Sequence, residues 1–108
     1  MPMDNTNVDI TIVAQFLSDY YLGTTGAAFE AAIRALKELE NMPDSQKLAL
    51  KASFQYCLTQ ALPINTVKNL VIKHARPADN DAEAREFLKQ VYDDCALEFV
   101  YAPDELLD

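Results

Sequence analysis

Ten of the seventeen acidic residues in this chain fall between Asp79 and Asp108, against only two bases there, Arg85 and Lys89. Placed on a helix at 100° per residue, Glu83, Glu86, Gln90, Asp93 and Asp94 project within about a third of a turn of one another. Leu97 falls on the same strip. Paired carboxylates for glycoside chemistry would need a cleft between them; adjacent Asp93 and Asp94 point to different sides of one helix. The strip's natural chemistry is electrostatic docking of a basic surface, which speeds and orients association. Affinity requires apolar anchors, and Leu97, Tyr92 and Tyr101 are the candidates. The competing reading is a solvated face with mild like-charge repulsion, relieved only by Lys89–Asp93 at i,i+4.

The remaining reactive side chains offer less. His74 is the only histidine, and its spacing puts it on the apolar face of a helix near its C-terminal end, where unpaired carbonyls favour a polar group. This reads as a satisfied structural histidine. With two separated cysteines and no His-x-x-x-His or Glu-x-x-His spacing, the chain has no first shell for zinc. Asp79, Asp81 and Glu83 alternate like a calcium loop but lack glycine at the sixth position and glutamate at the twelfth. Cys57 lies among Leu and Phe, which raises a thiol pKa instead of activating it. Gly23-Thr-Thr-Gly26 is too short for a phosphate loop and has no lysine. No catalytic set, metal or cofactor is expected.

Five helices must position these residues. The first runs from about Val8 to Leu22, with Ile10, Val13, Phe16, Leu17, Tyr20 and Tyr21 on one face and Gly23 at the C′ position. Thr24 or Thr25 caps a second, to about Asn41, whose stripe is Phe29, Ala32, Ile33, Leu36 and Leu39. Ala28, Ala31 and Ala35 flank it as an edge for close approach. After Pro43, Asp44 or Ser45 caps a third helix to about Leu62. Only Lys47, Lys51, Gln55 and Thr59 form a polar column on it, so it is expected at the centre. A fourth, from Asn65 or Thr66 to about Ala75, turns Val67, Leu70, Val71 and His74 inward. Asn80 with Glu83 makes a capping box for a fifth helix to about Tyr101, with Phe87, Leu88, Val91, Tyr92, Cys95 and Phe99 inside. Leu97 to Tyr101 is the only segment that reads equally as strand.

These elements predict an all-α fold, one compact bundle-like domain over residues 1–108 with 1–6 and 104–108 as loose ends. Two glycines are too few for the turns of an all-β fold. No signal peptide or spanning helix can be drawn, and Cys57 and Cys95 read as reduced core residues of a cytoplasmic protein.

The net charge is −8, with −8 on residues 79–108, −4 on 1–33 (four acids, no base) and +4 on 34–78 (seven bases, three acids). Lys47, Lys51, Lys68, Lys73 and Arg76 are expected to sit opposite the acidic helix. A sequence pI of 4.4 disfavours direct binding to nucleic acid. Size, acidity and helix content are similar to those of small neutralising proteins, namely immunity proteins, antitoxins and phage-encoded inhibitors, though no family motif is matched. The expectation is a non-enzymatic inhibitor that binds a basic protein such as a toxin or nuclease. The alternative is a regulatory or assembly subunit acting through helix–helix contacts, with self-association through the third helix or through Tyr20 and Tyr21.

Overall fold

The computed structural model describes residues 8–22 and 29–100, which form five α-helices and one 3₁₀ turn, with no strand among them. They are α1 (Ile10–Tyr20), α2 (Phe29–Asn41), α3 (Asp44–Thr59), α4 (Thr66–His74) and α5 (Asp81–Asp94), followed by the turn Leu97–Phe99. Four of them close a ring: α1 packs on α3, α3 on α5, α5 on α4, and α4 back on α1. Helix α2 lies outside the ring against α1. The fold is the all-α one that the helical periodicity predicts. The roles of Gly23, Thr24, Thr25 and the tail from Tyr101, and the side chain of Phe29, lie outside the described residues.

Local chemistry explains the helix starts. Asp9 caps α1, its carboxylate accepting the Thr11 amide at 2.9 Å. Helix α3 starts differently from the expectation. Pro43, in extended conformation, occupies the cap position without a side-chain bond, and Asp44 is already in the first turn. Proline can lead into a helix because its fixed φ suits that geometry. The capping box of α5 is present: Asn80 Oδ1 accepts the Glu83 amide at 2.8 Å, while Glu83 reaches back to the Asp79 amide at 3.1 Å.

The core inside the ring is built from Val13, Phe16 and Leu17 of α1, Leu50, Phe54 and Cys57 of α3, Val67 and Val71 of α4, and Leu88 and Val91 of α5. Phe16 and Phe54 meet edge to face with centroids 5.9 Å apart, the geometry aromatic quadrupoles favour. Helix α3 contributes heavily, but α1 touches three other helices and is equally central. Tyr21 is fully buried, which removes it from the proposed self-association surface.

Two helix faces differ from the sequence reading. In α2 the alanine edge faces the core: Ala31, Ala32, Ala35 and Leu39 are buried, whereas Ile33 and Leu36 remain 40% and 37% exposed. Its apolar stripe covers more than half the girth, and the small-residue half allows the close approach to α1. The Arg34 guanidinium secures the crossing by donating to the Tyr20 carbonyl at 3.2 Å.

Helix α5 ends at Asp94, well before Tyr101. Ala96 takes a left-handed conformation, φ 55° and ψ 34°, which stops the helix and resets the register of the next residues. Leu97, expected on the acidic strip, is consequently completely buried, and Phe99, expected inside, is 66% exposed. The segment is neither helix continuation nor strand as far as Phe99; Val100 then turns extended.

Candidate protein-docking face

Helix α5 buries Ala84, Leu88, Val91 and Tyr92 and leaves Glu83, Glu86, Gln90, Asp93 and Asp94 exposed. The strip read from the sequence is therefore present on the surface, but its members are unequal. Glu83 is tied to the Asp79 amide. Asp93 pairs with Lys89 at 2.7 Å, which holds the Lys89 ammonium above its usual pKa. Glu86 and Asp94 make no hydrogen bond or ion pair with any described residue. Of the four carboxylates on the strip, these two are the ones whose side chains lack such a partner.

The apolar part of the site needs correction. Leu97 is in the core and offers nothing to a partner. Tyr92 is buried and its hydroxyl accepts from Gln55 Nε2 at 3.0 Å. Tyr101 lies outside the described residues. The exposed ring beside the end of α5 is Phe99. On the other side of the strip a groove of about 310 Å³ is bordered by Glu83, Glu86, Gln90, Phe87, Pro77 and Arg76. The Arg76 guanidinium lies 5.5 Å from the Phe87 ring centroid, so the acidic strip has one basic edge.

Of the bases expected opposite the acidic helix, Arg76 borders its strip, whereas Lys51 and Lys47 are engaged elsewhere, and Arg85 of α5 itself turns to backbone carbonyls. Lys51 donates to the carbonyls of Val100 at 2.6 Å and Glu98 at 3.4 Å. Arg85 donates to the carbonyls of Cys57 at 3.1 Å and Gln60 at 3.3 Å, at the end of α3. Carbonyls left without a backbone partner at the end of a helix attract such cations. Lys47 pairs with Asp44 at 3.8 Å, within its own helix and away from α5.

Asp81 stays ionised but is engaged within the fold. Its carboxylate accepts the amides of Asn65 at 2.7 Å and Lys68 at 2.9 Å, and these bonds hold its pKa below the usual 3.8. It serves α4 as a cap supplied from another helix.

The reactive side chains are internal. Ser18 Oγ and His74 Nδ1 form a half-buried hydrogen bond of 2.8 Å, which satisfies the histidine as expected. Cys57 and Cys95 are buried free thiols. Burial pushes Cys57 up to about 11 against the opposing pull of Arg85. Burial likewise raises Cys95 to about 11, opposed by its hydrogen bond to Tyr21 and reinforced by Asp94. Tyr21 Oη and Cys95 Sγ lie 3.7 Å apart; burial and the neighbouring sulfur raise the phenol as well. Among the described residues no group of three or more His, Cys, Asp or Glu side chains could hold a metal ion. No helix there is long and apolar enough to cross a membrane.

One feature without a sequence signal is a largely apolar groove of about 380 Å³ between α1 and α3, lined by Ile12, Phe16, Tyr20, Met42, Ala49 and Leu50. Its residues come from two stretches of chain, 12–20 and 42–50, that only the folded ring brings together. Fold and surface thus define a small all-α protein whose helix α5 carries carboxylates on its exposed face. Comparison with protein-family models, curated proteins and solved structures gave no match.

Proposed function

We propose that this chain is a non-catalytic protein-binding module that neutralises a basic partner, of the nuclease or toxin kind, by docking through the outer face of α5. The observation that carries the reading is the exposure of Glu83, Glu86, Asp93 and Asp94 on one side of that helix, in a chain of net charge −8. Glu86 and Asp94 supply the long-range attraction, which acts mainly on the association rate. Phe99, exposed next to the helix end, takes the anchoring role for which Leu97 is unavailable.

The test is capture from the native cell with wild-type protein and with the double reversal Glu86→Lys, Asp94→Lys. The expected result is a basic protein retained by wild type and released by the reversal. Its enzymatic activity is then blocked by stoichiometric wild type and not by the variant. Equal capture and equal inhibition by both proteins would rule out the α5 face.

A further inference from the structure

The groove between α1 and α3 is a recess, not a flat face. Phe16 and Leu50, both buried, form its floor, and none of the large apolar side chains exposed elsewhere on the described surface lines it. Its volume of about 380 Å³ falls within the range of about 300–1,000 Å³ typical of small-molecule sites. A protein partner would need a far broader surface. From Ile12 to Tyr20 the groove runs about 12 Å along the axis of α1. Among the described residues, Asp19 is the only charged one that lines it. Its Oδ1 accepts from Gln15 Nε2 at 2.8 Å, and the carboxylate makes no other hydrogen bond or ion pair with a described residue.

The charges on the framing helices fix the sign of the occupant. Helix α1 has no base. On α2, Arg34 donates to the Tyr20 carbonyl and stays a cation, while Lys37 is exposed on the side opposite the buried alanine edge. On α3, Lys47 pairs with Asp44, about 160° round the helix from Ala49, and Lys51 holds the Val100 carbonyl. Against Arg34 stand Asp19 and Glu38: burial, then Glu38 and Asp19, raise the pKa of the Tyr20 phenol in the groove wall. The carbonyl end of α1 and the amide end of α3 meet there and offset one another. We propose that this groove binds a small amphiphilic monocation, an amine whose apolar body lies on Phe16 and Leu50 and whose ammonium meets Asp19. The Phe16 and Tyr20 rings, edge to face with centroids 5.0 Å apart, and the Met42 thioether favour an aromatic body. The proposal goes beyond the docking reading for α5 and is independent of it.

Titration of the isotope-labelled full chain with phenylbutylamine, phenylbutanol and phenylbutanoate at neutral pH, followed by NMR, tests it. The expected result is a set of amide and methyl shifts confined to residues 12–20 and 42–50, saturating at about 1 mM amine, as suits a ligand of this size. The amine should bind about three-fold more tightly than the alcohol, for one exposed ion pair, and the carboxylate should bind most weakly. Asp19→Asn should bring the amine to the affinity of the alcohol without altering the circular dichroism spectrum. Ala49→Phe, which fills the groove, should abolish binding of all three; if that variant misfolds, the Asp19→Asn comparison still decides. Absence of shifts in the groove at 10 mM amine would overturn the proposal. So would equal binding of amine and carboxylate, shifts centred on the α5 strip, or an amine preference that survives Asp19→Asn.

Discussion

Asp81 and Lys68 stand on different helices, yet the Asp81 carboxylate holds the Lys68 amide at 2.9 Å, and the Asn65 amide at 2.7 Å. Asn65, at the cap of α4, is left-handed with φ 70° and makes no capping bond of its own. The first turn of α5 therefore finishes the first turn of α4.

Asp81→Asn should lower the melting temperature at neutral pH, because the amide satisfies those two donors less well than an anion does. The pH dependence has a definite sign. The folded carboxyl titrates below its usual 3.8, so its contribution is complete above about pH 5 and is lost as pH falls through the folded value. The gap between wild type and variant, followed by thermal circular dichroism, should be widest above pH 5 and close toward pH 2.

Leu97 and Phe99 should respond oppositely to truncation. Leu97→Ala removes a fully buried side chain and should cost about 2–5 kcal/mol. Phe99→Ala, at a surface site, should stay within about 0.5 kcal/mol. Urea unfolding of both variants decides the register after Ala96, because a helix continuing through Asp94 would reverse the ranking.

Ala96 adopts positive φ without being glycine. Its Cβ makes that conformation unfavourable by roughly 1–2 kcal/mol, partly offset by the greater unfolded-state freedom of glycine. Ala96→Gly should raise stability by about 0.5–1 kcal/mol, and Ala96→Val should lower it. Urea midpoints at constant slope provide the measurement.

The buried thiols should make the fold alkali-sensitive. Cys57 and Cys95 titrate near 11 when folded, against 9.0 ordinarily. An unfolded chain therefore releases their protons first, and stability falls as pH rises between about 9 and 11. Replacing both with alanine should flatten that slope, whatever it does to stability at pH 7. Native-state alkylation at pH 8 should be slow and become fast in urea.

The starts of α3 after Pro43 and of α5 at Asn80 were legible because backbone rules act locally there, whereas α3 ends at Thr59, short of the Leu62 that Pro63 suggested. Which half of a wide apolar stripe meets a neighbour was not legible: α2 has two usable faces, and only the position of α1 selects the alanine one. The end of α5 was hidden for a similar reason. No glycine announces the left-handed residue at Ala96, and the break depends on Leu97 finding room in the core. Of the acidic strip, exposure followed from helix geometry. The diversion of Asp81 to α4 depended on a contact between helices, and so did the carbonyls taken by Lys51 and Arg85. Charge counted along a sequence takes no account of such backbone partners.

A single stretch of α3 holds both the start of α1 and the segment that follows α5. Ser53, fully buried, accepts the Asp9 amide at 3.1 Å, and Lys51 two residues earlier grips the Val100 carbonyl. During synthesis α1 would have no seat until residue 53 has emerged, and the lysine has no end to hold until residue 100 follows. Both contacts join residues far apart in the sequence, which favours unfolding as one cooperative unit and slow closure relative to bundles built from neighbouring hairpins.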